Sequence, residues 1–368
     1  MSADVVIVGA GYAGISAAKR LAAADGVRVA MVNPSPYFVE RIRLHQYLAG
    51  THPARRPLRA VLPARVELIV DAATAIDERN HLLHTGSGRE LRYGHLVYSP
   101  GSHSDAHDIR GAATHAVSLG TWAEAEHARA RLRALPPTAT VTVIGGGLTG
   151  IEVAAELAET RSARVRLVTG ELGHSVSPAA RTLLRLALTE LGVGITEQVA
   201  VAEVGDRKVT LTDGTVLPTD LAVATTAFAP SDLARGSGME VDGSGALLVD
   251  ENLVSTSSPA IVGAGDGVAF GTAPLRMSCQ AAIPAGIHAA ETVLRLRSGQ
   301  APKPLRRKYI GQAVSLGRKN ALVQFTDFTD RPLPHLVLTR GEAALVKEQI
   351  SRATISAGQL GPVRYRWS

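Results

Sequence analysis

Thiols are almost absent from this chain, whose 368 residues hold one cysteine, Cys279. That excludes an intramolecular disulfide, a redox-active cysteine pair and any multi-cysteine zinc or iron–sulfur site, each of which needs at least two thiols. Aromatic residues are scarce too, at 4%, and no basic stretch interleaves them in the manner of an RNA-binding surface. The net charge of +6 rests on 39 basic residues, six of them lysine. They are scattered apart from Arg55-Arg56 and Arg306-Arg307-Lys308, so they read as solvated surface and no nucleic-acid partner is expected. No run approaches the roughly 18 consecutive apolar residues that span a bilayer, so no integral membrane segment is expected. The first strand-like run begins at Val5, which leaves no room for a leader, and a cytoplasmic location is the expectation. His81, His84, His95, His103 and His107 lack metal-ligand spacing on one face, and no metal site is expected.

What the chain has is glycine, 36 residues of it, in a chain 45% hydrophobic. Its length predicts two or three domains with proper cores. Asp4 to Val8 is a continuous β-branched run of the kind buried on both faces of a parallel sheet. Gly9-Ala-Gly11-Tyr-Ala-Gly14 follows, then an alanine-rich helix. Gly9 permits the tight turn, Gly11 lets a pyrophosphate approach the backbone, and Gly14 lets helix and strand pack closely. The phosphates then meet the N–H groups and positive dipole end of the helix. A lone glycine fingerprint is weak evidence, but between such a strand and helix it is strong. The next strand, Val27 to Val32, ends at Asn33.

The pattern recurs. Val141 to Ile144 leads into Gly145-Gly-Gly147-Leu-Thr-Gly150, a helix, and a strand ending at Thr169. The offsets match, 33 − 9 = 24 and 169 − 145 = 24, so two dinucleotide sites are expected. Each copy also carries a hairpin, one around Gly86-Ser-Gly88 and one around Asp213-Gly214. A short apolar strand follows each hairpin, Leu96 to Gly101 and Leu221 to Thr225. Later, Thr256 to Asp266 reads as a strand with a carboxylate at its tip, followed by a helix from about Cys279 to Arg297. Asp266 is placed to accept hydrogen bonds from the hydroxyls of a sugar or ribityl chain lying across the strand ends. An aspartate that merely caps a turn is the plain alternative.

The order Gly9-x-Gly11-x-x-Gly14, Ser99-Pro100-Gly101, Gly145-x-Gly147-x-x-Gly150 and Gly263-Ala-Gly265-Asp266 resembles the two-dinucleotide-binding-domain flavoproteins of the pyridine nucleotide-disulfide oxidoreductase class. The segment Pro36 to Gly50 and the stretch Leu148-Thr-Gly-Ile-Glu152 are most similar to the type II NADH:quinone oxidoreductases and their short actinobacterial relatives. The resemblance implies an α/β fold with two Rossmann-like domains and a small α+β C-terminal domain. An FAD domain over 1–110 and 245–300 would be interrupted by an NAD(P)H domain over 111–244, with residues 301–368 forming either a homodimer surface or a lid over the flavin. It also implies FAD, NADH or NADPH, hydride transfer from nicotinamide C4 to flavin N5, and a small, quinone-like electron acceptor.

Carried onto this sequence, the resemblance places Gly9, Gly11, Gly14, Asn33, Ala73, Pro100, Gly101, Gly265 and Asp266 at FAD. Gly145, Gly147, Gly150 and Thr169 fall at the nicotinamide dinucleotide. Arg41 and Arg43 either approach the FAD phosphates or are surface arginines. Glu152 faces the flavin edge, orienting the nicotinamide or relaying a proton, and Gln280 joins it as the second catalytic residue. His45, Gln46 and Pro284 border the acceptor. Asn33 stands where an acidic residue usually holds the FAD ribose, and Thr169 stands where an NADH site commonly has glutamate, leaving NADPH open. The quinone motif keeps one glutamine, Gln280, and has Pro284 at its second. Cys279 reads as a small buried hydrophobe. The rival expectations are a reductase or oxidase of a secondary metabolite, a reductase of a protein electron carrier, and a non-catalytic flavoprotein that senses redox state.

Overall fold

A computed structural model describes residues 2–106, 108–160, 163–271 and 275–356. His107 therefore lies outside the described residues. The β-branched run forms the strand Ser2–Val8, with Val5, Val6 and Ile7 fully buried. It sits inside a parallel array whose order is Val66–Val70, Val29–Asn33, Ser2–Val8, Glu90–Tyr98 and Ile261–Gly263. Burial on both faces explains why the run does not alternate, and each such side chain removed from water contributes roughly 1.5–3 kcal/mol.

The second copy builds a matching parallel sheet, ordered Ala116–Ser118, Leu221–Ala224, Thr140–Ile144, Arg164–Val168, Gly194–Thr196. Both expected hairpins are present, pairing His84 with Glu90 and Thr210 with Val216. One expectation needs correction. In the first copy the hairpin strand and the apolar strand after it are a single nine-residue strand, Glu90–Tyr98. Its start pairs antiparallel with Leu82–Thr85, while Arg92 onward pairs parallel with Ser2–Val8. The second copy does break, between Val216–Pro218 and Leu221–Ala224. Pro218 ends the hairpin strand there, since it has no N–H to offer a continuing ladder.

Two antiparallel strands, Ser102–Asp105 and Ala227–Pro230, carry the chain out of the first sheet region and back. Close helix packing brings the long helix Cys279–Arg297 onto the first fingerprint helix Tyr12–Ala22. A Cβ on Gly286 would lie 2.1 Å from the Ala13 carbonyl oxygen, so only glycine permits that approach. The last described part is a three-stranded antiparallel sheet, Gly311–Ser315, Ala321–Thr326 and Pro332–Thr339, followed by the C-terminal helix Arg340–Ser356. Val314 and Leu322 of that sheet, and Leu316 in the turn between them, share a core with Leu44 and Leu48, from the first half of the chain, and with Ile151 and Leu157 of the second fingerprint helix Leu148–Thr160. Among the described residues no helix is long and apolar enough to cross a membrane.

Candidate functional site

The two glycine turns are built alike, and in each the three glycines are required for different reasons. Gly9 and Gly145 have φ of +91° and +112°, and a Cβ on them would meet Ser99 O at 2.3 Å and Thr225 O at 3.0 Å. Gly14 and Gly150 lie so near the turn that a Cβ would be 2.0 Å from Gly9 O and 1.9 Å from Gly145 O. Gly11 and Gly147 differ. A Cβ on Gly11 has no heavy atom within 4 Å, and on Gly147 it reaches only His174 Cε1 at 4.0 Å. These two positions face open cradles at helix N-termini, where a pyrophosphate fits and a side chain would fill the space.

The strand ends hold the turns in place with equivalent contacts. Asn33 Oδ1 accepts from Ala10 N at 3.0 Å, and Thr169 Oγ1 accepts from Gly146 N at 3.0 Å. Ser99 Oγ donates to Val8 O at 2.8 Å, and Thr225 Oγ1 donates to Ile144 O at 2.9 Å. Asn33 Nδ2 also donates to Ser35 O at 2.7 Å, and the Thr169 hydroxyl donates to Glu171 O at 3.0 Å. Asn33 keeps a spare amide hydrogen and lone pair for a ribose hydroxyl. Thr169, 7% exposed, has its only proton committed inward. Ala73, half-buried at the start of its strand, pairs with Thr85 beyond the Asn33 end of the sheet.

At the other end of the first cradle, Gly265 has φ +86° and packs against Ala13, while Asp266 is one residue further on. Asp266 Oδ2 accepts from Ser102 Oγ at 2.9 Å and from Arg41 Nη1 at 3.2 Å. Ser102 follows Pro100 and Gly101, whose φ of +78° turns the chain out of the sheet. The carboxylate thus sits among donors at the strand ends, fixed by Ser102 and Arg41. Arg41 lies over the Phe228 ring at 4.9 Å.

Arg43 goes elsewhere. Its guanidinium makes two 3.0 Å bonds to Glu348 of the C-terminal helix, one of 3.0 Å to Gln46 Oε1, and an ion pair of 3.2 Å to Glu40. Those partners use the donors that an FAD phosphate would need, so the geometry disfavours the expectation for Arg43. Against the penalty of burial, hydrogen bonds from Arg43 and Arg352 hold the Glu348 carboxyl down at about 2.

Glu152 lies in the first turns of the second fingerprint helix and is 7% exposed. Its Oε1 takes the Lys347 ammonium at 2.9 Å and the Ser315 N–H at 3.0 Å, and its Oε2 faces His45 Nδ1 at 3.6 Å. Burial alone would raise this carboxyl. Lys347, His45 and the Ser315 N–H outweigh it and hold the group below the usual carboxylate range. Burial of His45 dominates its own titration, which falls to about 4 despite Glu152. His45 is therefore neutral near pH 7, with Nε2 buried and without a partner among the described residues.

This gives a directional pH effect. An unfolded His45 titrates near 6.5 and the folded one near 4, so between these values the unfolded chain binds the extra proton. Stability is fully present above pH 6.5 and is lost as pH falls toward 4, by up to about 3 kcal/mol from this group. His45→Gln is expected to flatten that limb of the urea-unfolding profile relative to wild type. Parallel profiles for the two proteins between pH 6.5 and 4.5 would remove His45 as the cause.

Gln280 is half-buried in the first turn of the helix Cys279–Arg297, and its Oε1 accepts from Arg276 Nη2 at 2.7 Å. Pro284, one turn on, is buried within the helix and has no N–H for the Gln280 carbonyl. Cys279 is half-buried with its thiol pushed up by burial, the state of an unreactive thiol. A cavity runs from Gly265 and Asp266 past Arg276 and Met277 to Ala281 and Ala282. The structure thus brings Asp266 near the start of the long helix, and brings His45, Gln46 and Glu152 together in a second cluster under the C-terminal helix. Sequence reading missed Lys347, Ser315, Ser102 and Arg276, none of which stands in a recognisable motif.

Residues 3–289 match the family described as pyridine nucleotide-disulphide oxidoreductase. The chain is 31% identical over 375 residues to the NADH dehydrogenase-like protein Rv1812c of Mycobacterium tuberculosis strain ATCC 25618 / H37Rv, covering 94% of this chain and 92% of that one. Its fold matches the sulfide:quinone oxidoreductase of Aquifex aeolicus with a TM-score of 0.82 at 20% identity, over 98% of this chain and 92% of that one. The ferredoxin reductase for the CYP199A2 system of Rhodopseudomonas palustris matches with a TM-score of 0.74 at 26% identity, over 88% and 83%. The resemblance read from the glycine turns and the Gly-Asp tip therefore holds, and the chain belongs to the pyridine nucleotide-disulphide oxidoreductase family, whose flavoproteins use FAD and NAD(P)H.

Proposed function

We propose that this chain is an FAD-dependent NAD(P)H oxidoreductase that hands electrons to a small, quinone-like acceptor. The observation that carries the reading is the pair of open cradles at Gly11 and Gly147, on two sheets of one chain that holds a single thiol. With no second cysteine there is no internal dithiol to receive electrons, so they leave for an external acceptor. Bound in the cradles, FAD and NAD(P)H supply the redox chemistry itself.

The chain's own residues bind and orient. Residues 1–110 and 245–300 hold FAD through Gly9, Gly11, Gly14, Asn33, Ala73, Pro100, Gly101, Gly265 and Asp266, with Arg41 and Ser102 fixing the Asp266 carboxylate. Residues 111–244 hold the nicotinamide dinucleotide through Gly145, Gly147 and Gly150. Glu152, kept ionised by Lys347, orients the nicotinamide or holds a proton for the acceptor, with His45 and Gln46 beside it. Lys347 and Glu348 pair with Glu152 and Arg43, which lays the helix Arg340–Ser356 over this cluster.

Thr169, turned inward, leaves the adenosine ribose to Glu171, an exposed carboxylate two residues on that is ion-paired with Arg181. A carboxylate there accepts from a 2′-hydroxyl and repels a 2′-phosphate, so NADH is the preferred reductant. Glu171→Gln is expected to raise the NADPH to NADH ratio of kcat/KM at least tenfold, and a ratio unchanged within twofold refutes this assignment.

Anaerobic stopped-flow mixing of the flavin-loaded protein with NADH, then with menadione, tests the whole reading. Rapid bleaching at 450 nm and reoxidation by menadione faster than by oxygen are expected. Bleaching only over minutes would favour a non-catalytic redox sensor. Reoxidation by an acidic iron–sulfur protein but not by menadione would favour a protein carrier, the second reading, which the 26% identity to a ferredoxin reductase supports.

A further inference from the structure

The acceptor side of the long helix carries a fixed polarity. A guanidinium has donors only, so the Gln280 side-chain oxygen must face Arg276 and its NH2 group must point the other way. Among the described residues nothing accepts from that NH2 group. Arg276 in turn cannot easily rotate. Its Nη1 bonds Asp330 at 3.0 Å, its Nη2 also bonds Gly311 O at 3.2 Å, and its guanidinium lies over the Tyr309 ring at 5.0 Å. Its backbone N–H donates to the Tyr309 hydroxyl at 3.0 Å.

Asp330 is itself held. It sits at φ +73° in the turn before the strand Pro332–Thr339. The Asp327 carboxylate closes that turn by accepting from Thr329 N at 2.8 Å and Arg331 N at 3.0 Å. The C-terminal sheet therefore reaches across to the first turn of the flavin-side helix through one rigid guanidinium. Arg276, Met277 and Ala281 line the cavity that continues to Asp266.

We propose that Arg276, anchored by Asp330, is a positioning residue that presents the Gln280 amide to the acceptor as a hydrogen-bond donor. The site then selects acceptors bearing an accepting oxygen, such as a quinone carbonyl, over acceptors that need no such contact. This rests on the reading above that Gln280 borders the acceptor. Reversal of the amide would place its oxygen outward, against a carbonyl oxygen, and the selectivity would vanish.

The test uses flavin-loaded protein reduced by NADH and reoxidised by menadione or by ferricyanide, an outer-sphere acceptor. Arg276→Met is expected to lower the menadione to ferricyanide ratio of reoxidation rates at least tenfold, and Arg276→Lys, still a donor-only cation, to restore most of it. Gln280→Glu keeps the Arg276 contact but offers no donor, so it too is expected to lower the ratio tenfold. Calorimetric binding of menadione to the oxidised protein should weaken at least fivefold in Gln280→Glu. Equal losses with both acceptors, or menadione binding within twofold of wild type, overturn the proposal. Wild-type protein that NADH bleaches but menadione fails to reoxidise instead overturns the quinone reading itself. If Arg276→Met does not fold, Arg276→Lys and Gln280→Glu still decide the matter.

Discussion

Gly11→Val is expected to yield a folded protein that purifies without FAD. The glycine at this position has φ −77° and ψ −170°, a conformation any residue adopts. An added Cβ meets no protein atom within 4 Å, so nothing in the fold resists the side chain. The valine instead fills the open cradle proposed for the pyrophosphate and screens the helix N-terminus that would receive its charge. A fall of at least a hundredfold in FAD affinity is expected, read as the 450 to 280 nm absorbance ratio of the purified protein, with a far-UV spectrum like wild type. Gly147→Val should keep FAD and lose reduction by NADH. Gly14→Val behaves differently, since its Cβ would lie 2.0 Å from Gly9 O. Overpacking of that severity removes soluble protein altogether. A Gly11→Val protein that retains stoichiometric FAD would show that the first cradle is not the phosphate site.

Lys347→Met is the second large effect. The Lys347 and Glu152 side chains are 13% and 9% exposed and 2.9 Å apart. Removing one partner of a buried pair leaves the other charge uncompensated and costs about 3 kcal/mol or more. Glu152 would keep only the Ser315 N–H and a neutral His45, so the burial penalty that Lys347 now offsets would raise its carboxyl. The midpoint of urea unfolding should fall sharply in Lys347→Met and recover for the most part in the Glu152→Gln, Lys347→Met double variant. Equal destabilisation in single and double variants would mean that Lys347 acts through packing of its stem alone.

The parts of this architecture that were legible in the sequence are those set by local chemistry. Both glycine turns, the strand ends at Asn33 and Thr169, and the helix Cys279–Arg297 lie where backbone freedom and apolar runs put them. The site's long-range partners were not legible. Arg41 and Arg43 stand two apart in one 3₁₀ turn, where each residue advances about a third of a circle, so they leave on different sides. One reaches Asp266 and the other Glu348. Sequence treats the two arginines alike because only the placement of distant elements tells them apart. The same holds for Lys347, one of six lysines, whose partner lies on a helix made some two hundred residues earlier. The fusion of hairpin and sheet strand in Glu90–Tyr98 was missed because no proline interrupts it, as Pro218 does in the second copy.

The C-terminal helix has a consequence for the order in which the protein is made. On the ribosome the first half emerges early and begins to fold before the rest exists. The Glu152 carboxylate is buried in the finished protein, yet its ionic partner, Lys347, lies near the end of the described chain. Until that helix is translated, the Glu152 charge cannot be sealed from water without a large penalty. The region around His45, Gln46 and Glu152 therefore closes only after Lys347 has been made. A nascent chain stalled short of Lys347 would present two complete glycine turns on a protein that cannot yet shut its site.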